Sequence, residues 1–288
     1  IAYSLSAFAA ACPRGWCIDP IIRIGADLLP QAEAFLSRLP AICPGSTLAE
    51  APDPTNRVEL QYFDSAERTE RLTGGVGPWA AADLLPRVER VDAIFINYIS
   101  GFELDLPTAE LVRRVSNVPT YADLHSLCLG PPGDGPRRPR PLPDSPRWIR
   151  TADWIQVNEA EFELIGGRSV VEREGAEGLT LLITRGAGGA SWREIGTGRG
   201  RLTAEGIVAP EADADDGDPT GCGDVWGAVT FCGILDGLPL PVAMRRANVA
   251  AAAKLRHPRM EGLCAAIRSA LDAWDRRVGH SLPGRTAS

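Results

Sequence analysis

Short apolar runs recur along this chain, and most are followed by a segment with helical periodicity. Ala93–Tyr98 reads as a buried strand, and a helix over about Pro107–Val115 follows it. Thr120–Leu124, Trp154–Val157 and Leu179–Thr184 read as further core strands, and Pro20–Gly25 as an earlier one with a helix after it at Leu28–Leu39. Strands that alternate with helices in this way can bury both faces only in an α/β fold with a mostly parallel sheet. The last third is helical throughout: Val225–Leu235, an Ala-rich segment Pro241–Leu255, and Glu261–Trp274. At 288 residues the chain is long enough for one large α/β domain with a substantial core.

Two stretches break the alternation. From Asn56 to Leu72, Val58, Leu60 and Tyr62 alternate with Glu59 and Gln61 around a polar turn at Asp64-Ser65-Ala66-Glu67. That pattern predicts a hairpin buried on one face, placed where a lid would project from the main sheet, with an exposed face through which a homodimer could form. Gly130–Pro146 is rich in Pro, Gly and Arg and reads as a surface loop. Residues 2–11 read as a helix already in progress at the first residue, so a segment is expected to precede it; residues 277–288 read as a tail, disordered from Gly279.

Composition narrows the classes. A net charge of −7 leaves no basic stripe for nucleic acid, and no apolar run reaches membrane-spanning length. The seven cysteines are scattered and odd in number, with only Cys12 and Cys17 close, and the three histidines (His125, His257, His280) complete no zinc pattern. Reduced thiols in a cytoplasmic protein are the expectation.

The chemistry concentrates in Gly217-Asp218-Pro219-Thr220-Gly221-Cys222-Gly223-Asp224, which opens a nearly all-apolar helix. Glycines there allow close backbone approach to a ligand. The unpaired amides of a first helical turn, at the positive end of the helix dipole, form an anion hole. Thr220 is placed to cap that helix, and Cys222, among free amides, is expected to have a depressed thiol pKa. Asp224 falls in the same first turn, beside any bound phosphate. No GxxxxGK[ST] is present, and the glycines of Gly186–Gly189 do not have dinucleotide-fingerprint spacing.

The run Asp218–Asp224 resembles a signature of the ribokinase (PfkB) family of carbohydrate kinases, usually D-T-T-G-A-G-D. Three further features follow the family's order: Asn158-Glu159-Ala160-Glu161 resembles its N-x-x-E motif, Thr184-Arg185-Gly186 its T-x-G loop, and Asn248 its adenine-flanking helix. The resemblance implies a three-layer ribokinase-like domain over residues 1–276, with the lid at about 56–72 and the family's N-terminal strand missing. It implies ATP-dependent phosphotransfer to a hydroxyl of a sugar or sugar-like alcohol; a nucleoside kinase, or a non-catalytic nucleotide- or sugar-binding protein, are the alternatives. In that reading Asp224 is the base, and the amides of Gly221, Cys222 and Gly223 stabilise the transferring phosphoryl. Asn158 and Glu161 organise Mg²⁺, and Asp218 holds a monovalent cation such as K⁺. Thr184, Gly186, Asn248 and Asn158 line the ATP site. Ser4 falls where a substrate-contacting Asn usually lies, and Asn97, at the end of a core strand, is a second candidate acceptor contact beside Asp224. Pro219 and Cys222 replace the usual Thr and Ala, and the Arg256–Arg259 loop is atypical.

Overall fold

The computed structural model describes residues 1–62, 68–133, 135–196, 202–210 and 217–278. The chain opens with α1 (Ala2–Ala11), β1 (Arg23–Gly25), α2 (Leu29–Leu36) and β2 (Ala49–Ala51), then the hairpin β3 (Arg57–Tyr62) and β4 (Arg68–Thr73). Next come α3 (Ala81–Val88), β5 (Ile94–Asn97), α4 (Leu106–Val115), β6 (Thr120–Asp123) and the single-turn α5 (Ser145–Trp148). Then follow β7 (Trp154–Asn158), α6 (Glu159–Leu164), α7 (Gly167–Glu174), β8 (Thr180–Thr184), β9 (Ala190–Ile195) and β10 (Leu202–Val208). The chain ends in α8 (Cys222–Leu235), α9 (Leu240–Arg256) and α10 (Leu263–Val278).

The main sheet has six strands in the order β10-β9-β8-β7-β6-β5. Strands β5 to β8 run parallel, and β9 and β10 return antiparallel at one edge. The pleat sends alternate side chains to opposite layers. Ile96, Ala122, Ile155, Val157, Leu181 and Ile183 pack on one core with Leu84, Val112, Trp148, Phe162 and Val171 from α3 to α7. Tyr121, Leu182, Phe95, Trp154 and Trp192 pack on the other, against α1, α8, α9 and α10. Phe95, Tyr121, Trp154 and Phe231 make a continuous aromatic cluster there, with centroids 5.0 to 6.1 Å apart. Three layers therefore form, as the family resemblance implies.

The segment Pro20–Gly25 does not join this sheet. Only Arg23–Gly25 is extended, and it pairs in parallel with Ala49–Ala51 as a separate two-stranded sheet. A three-residue strand lacks the length to span the core beside β5, whose far edge it leaves unpaired. The antiparallel β9 and β10 were not legible as strands: Trp192, Arg193 and Glu194 alternate too weakly, and Leu202–Val208 carries Gly206 against the Trp192 indole. The tail boundary also shifts, since α10 continues through Val278; residues from Gly279, and the turn Asp64–Glu67, lie outside the described residues. The reduced-thiol expectation fails at one pair. Cys17 and Cys43, 26 residues apart, form a disulfide, a pairing that spacing between sequence neighbours does not reveal. Among the described residues no helix is long and apolar enough to cross a membrane.

The hairpin is half-buried, as its alternation predicts. Val58 pairs with Leu72 and Leu60 with Glu70 on the covered face, while Arg57, Glu59, Gln61 and Arg71 face outward. Glu70 is an unexpected inward acid, 6% exposed, and it meets Arg137 at 3.0 Å. Arg137, 5% exposed, also donates to the carbonyls of Gly130, Ser100 and Ser126. The loop 130–146 is thus pinned from inside: one guanidinium ties the hairpin to the ends of β5 and β6. Glu70→Ala leaves a buried guanidinium without its counter-ion, and the expected cost is about 3–5 kcal/mol in urea unfolding. The exposed pair Arg168–Glu172 should yield no measurable change on Arg168→Ala. Equal small effects from both variants would show that the Glu70–Arg137 pair is not what holds the hairpin.

Candidate active site

The register of the parallel strands decides which polar side chains meet. Asn97 is opposite Asp123, Asp123 opposite Gln156, and Asn158 opposite Thr184. Asn97, Asp123, Asn158 and Thr184 end their strands and Gln156 lies mid-strand, and alternation places all five on the same face as Phe95, Tyr121, Trp154 and Leu182. That is the layer of α8. In open α/β sheets this crevice is where ligands bind.

Helix α8 enters that row through its glycines. Gln156, 3% exposed, accepts from the Tyr121 hydroxyl at 2.6 Å and donates to Asp123 Oδ2 at 3.0 Å and the Gly223 carbonyl at 3.2 Å. A Cβ on Gly227 would lie 2.3 Å from Gln156 Oε1, so only glycine lets the helix come this close. At the helix start Gly221 adopts φ +79° against the Tyr3 ring, where a Cβ would sit 2.3 Å from the aromatic edge.

Gly221, not Thr220, is the N-cap residue, and it offers no side-chain cap. Thr220 instead gives its amide to Asp218 Oδ1 at 2.9 Å. The Cys222 amide, one of three expected to face an anion, donates within the turn to the Pro219 carbonyl at 3.1 Å. The amides of Gly221, Gly223 and Asp224 find no acceptor among the described residues. The free amides of this helix start are therefore those of Gly221, Gly223 and Asp224, and not the expected Gly221, Cys222 and Gly223.

The Cys222 thiol does not behave as predicted. Burial pushes it up to about 11, and the nearby Lys254 ammonium offsets this only in part. Its sulfur faces α9, 3.6 Å from the Ala251 carbonyl, and not the open end of the helix. Packing outweighs the helix dipole here.

Asp224 projects the other way. Its Oδ1 accepts from Asn97 Nδ2 at 2.5 Å and from Ser4 Oγ at 3.2 Å, and Asn97 also donates to Ser4 Oγ at 2.8 Å. Three residues separated by more than ninety positions, all singled out from the sequence, meet in one cluster. Ser4 and Asn97 line a cavity of about 1060 Å³, walled by Phe8, Trp16, Trp79 and Phe102. Asn97 Oδ1 is buried and has no hydrogen-bond partner among the described residues.

Asn158 and Glu161 form a capping box at α6. Glu161 Oε2 accepts from the Asn158 amide at 2.8 Å, and Asn158 Oδ1 from the Glu161 amide at 2.9 Å. Glu161 Oε1 also takes Asn158 Nδ2 at 2.6 Å and His125 Nδ1 at 2.5 Å. Glu161 is 7% exposed, so it is no surface acid. No cluster of three or more His, Cys, Asp or Glu that could hold a metal occurs among the described residues. With so many donors on its oxygens, Glu161 fits a hydrated Mg²⁺ reached through water, which this ion favours, better than a directly ligated one.

The residues expected from the motifs on the nucleotide side differ in freedom. Thr184 ends β8 with its hydroxyl 3.4 Å from the Val157 carbonyl, and Gly186 begins an exposed turn at φ +51°. Asn248 is 8% exposed and joins the Trp226 indole at 2.8 Å to the Ala209 carbonyl at 2.5 Å, so it braces the wall between α8 and the end of β10. Asp218 is engaged from two sides, by Thr220 and by the Lys254 ammonium, 3.2 Å from Oδ2. Burial raises its pKa, but these bonds outweigh it and hold the carboxyl below its usual value.

Sequence reasoning missed Asp123, Gln156, His125 and Lys254. The first two lie two residues beyond Tyr121 and Trp154, on the same faces of strands already recognised, and that parity was the available signal. Lys254 carried none, since a lysine in an Ala-rich helix reads as an exposed residue.

The family resemblance drawn from the motifs is borne out: the model of the pfkB family carbohydrate kinases matches residues 133–262, which contain Asn158, Glu161, Thr184, Asp224 and Asn248. The chain has the ribokinase-like α/β fold. Burkholderia thailandensis nucleoside kinase in complex with inosine superposes with a TM-score of 0.72 at 17% identity, covering 98% of this chain and 86% of that one. Arabidopsis thaliana ribokinase complexed with ribose and ATP gives 0.63 at 17% identity, over 94% and 86%. A pyrophosphate-dependent kinase of the ribokinase family, in a sulfate complex, gives 0.66 at 18% identity, over 90% and 89%. Among curated protein sequences no match is found.

Asp123 supplies a pH dependence. Burial, with the nearby Glu161 and Asp224 charges adding to it and His125 opposing it, pushes its pKa from 3.8 up to about 7. A carboxyl raised in the folded state contributes stability that is complete below its unfolded value and lost as pH rises through the folded one. Thermal melts should therefore show wild type losing stability between pH of about 4 and about 7, and Asp123→Asn, which mimics the neutral acid, losing less. An unchanged slope in the variant would assign the loss to another group.

Proposed function

We propose that the protein transfers a phosphoryl group from ATP to a hydroxyl of a sugar or sugar-like alcohol, with Asp224 as the base. The observation that carries this reading is the cluster at Asp224: Asn97 and Ser4 orient one carboxylate oxygen at the edge of a cavity, beside free amides of a helix start. An acceptor hydroxyl entering there can give its proton to Asp224 while a second hydroxyl donates to the unpartnered Asn97 Oδ1. The oxygen then attacks a phosphoryl whose charge is met by the amides of Gly221, Gly223 and Asp224, with preorganised dipoles supplying the stabilisation. Glu161, oriented by Asn158 and His125, would hold a hydrated Mg²⁺ through water, and such an ion would supply neutralisation of phosphate charge. Thr184 and Gly186 border the nucleotide, with Asn248 bracing the wall behind it.

A nucleoside acceptor is the second reading, and the aromatic walls favour it. Phe8, Trp16, Trp79 and Phe102 offer more ring surface than a bare sugar uses, and a base would stack on it. The B. thailandensis enzyme with inosine is a nucleoside kinase of the same fold. Sugars, cyclitols and nucleosides offered in parallel, each with ATP and with pyrophosphate, distinguish the acceptor and the donor.

Asp224→Asn keeps size and shape but cannot take a proton. We expect kcat to fall by about 10²–10⁴-fold, or roughly 3–5 kcal/mol of transition-state stabilisation, with ATP affinity by calorimetry nearly unchanged. Wild-type kcat in this variant would remove Asp224 from the chemistry. Glu161→Gln should raise the Mg²⁺ concentration needed for half-maximal rate; an unmoved metal titration would make Glu161 a cap for α6 and nothing more.

A further inference from the structure

The turn that carries the anion-binding amides is held from behind by a buried lysine. Lys254, in the last turn of α9, is 0% exposed. Its Nζ donates to the Asp218 carbonyl at 2.8 Å and to Asp218 Oδ2 at 3.2 Å, and it lies 5.1 Å from the centroid of the Tyr3 ring. Burying an ammonium is costly even when it is paired, and a methionine of similar volume would pack there at lower cost. The charge therefore calls for a reason beyond packing.

Its neighbours supply one. Several fixed points of the turn 217–222 lie around this ammonium. Gly217 is pressed against the Leu255 carbonyl, where a Cβ would fall at 2.1 Å, and the Asp218 amide donates to that same carbonyl at 3.2 Å. Asp218 Oδ1 takes the Thr220 amide while Oδ2 takes Lys254, so one carboxylate transmits the position of the lysine to the residue before Gly221. Gly221 rests on the Tyr3 ring, which also faces the ammonium. The cation further lies at the C-terminal end of α9, where the helix dipole favours it.

We infer that Lys254 is a positioning residue, a tethered cation that holds the 217–222 turn and its amides in place for the transferring phosphoryl group and occupies the Asp218 position otherwise open to a free monovalent ion. This rests on the phosphotransfer reading above. It departs from the motif resemblance, which implies an exchangeable ion such as K⁺ at Asp218.

The test has two arms. Wild-type turnover is measured in chloride salts of potassium, sodium and tetramethylammonium at equal ionic strength, and the rates should agree. Lys254→Ala is then compared with Lys254→Met. The Ala variant should lose about 100-fold in kcat, the scale expected for a displacement of about 1 Å, with acceptor KM little changed. Added ammonium, methylammonium or K⁺ should restore part of that rate. The Met variant should fall as far and resist rescue, because its side chain fills the space.

Wild-type activity that requires K⁺ overturns the proposal, and it needs no variant to fold. So does a Lys254→Ala enzyme with wild-type kcat, or one with a wild-type melting temperature whose lost rate no small cation restores. If wild type binds ATP but phosphorylates nothing in any salt, the phosphotransfer reading fails instead. Lys254 is then judged by whether ATP affinity, weakened in the Ala variant, returns with ammonium; no weakening, or no return, counts against it.

Discussion

Everything at this site depends on how closely α8 approaches the sheet. The approach is made through one buried glutamine. Gln156 joins the Tyr121 hydroxyl, the Asp123 carboxyl and the Gly223 carbonyl, and each bond is worth about 1 kcal/mol net when made and more when broken. Gly227 makes room for it, and the aromatic cluster of Phe95, Tyr121 and Phe231 fixes the distance behind it. With α8 seated there, its first turn overhangs the carboxyl ends of β5 to β8. Asp224 then falls within reach of Asn97 and Ser4, and the Gly223 amide faces the same crevice. A bulkier residue at 227 would lift the helix and separate all of these groups at once.

The electrostatics of the crevice are divided by depth. Asp123 lies deepest, its pKa raised to about 7 chiefly by burial. Glu161, also buried, is surrounded by donors from its own helix start and from His125. Asp224 lies nearer the opening, with a single oxygen engaged. Behind the turn, Lys254 provides a positive charge paired with the Asp218 carboxylate. In the proposed reading, these acids handle a hydroxyl proton and a hydrated metal, and the free amides and fixed cation surround the transferring phosphoryl group.

Much of this was legible in the sequence, and the exceptions have physical reasons. The parallel strands and the long C-terminal helices follow from apolar runs and helical periodicity. Asp224, Asn97 and Ser4 were each identified, by motif or by strand-end position, before their cluster was visible. Cys222 was misread because a helix N-terminus lowers a thiol pKa only if the sulfur faces the amides; rotamer and packing against α9 decide that, and sequence does not carry them. Thr220 was misread as a cap because the choice between Thr220 and Gly221 depends on a positive φ set by the Tyr3 ring, which arrives from the far end of the chain. Glu70, Arg137 and Lys254 are charges in apolar surroundings, and their partners lie 36 to 67 residues away. Local pattern treats such residues as solvated. The Cys17–Cys43 disulfide was hidden for a similar reason, as the parallel bridge Ile18–Ile42 and the pairing of β1 with β2 that bring those segments together are long-range contacts that periodicity does not carry.

The most direct test of the account is a crystal structure of the protein with ADP, Mg²⁺ and a planar metal fluoride that imitates the phosphoryl group in flight. The account predicts the fluoride seated on the amides of Gly221, Gly223 and Asp224. The Asp224 carboxylate should lie on its far side from ADP, in line for an incoming hydroxyl, and Glu161 should contact the metal through water. A fluoride bound elsewhere, or one with Asp224 turned away while ADP occupies its site, would contradict it.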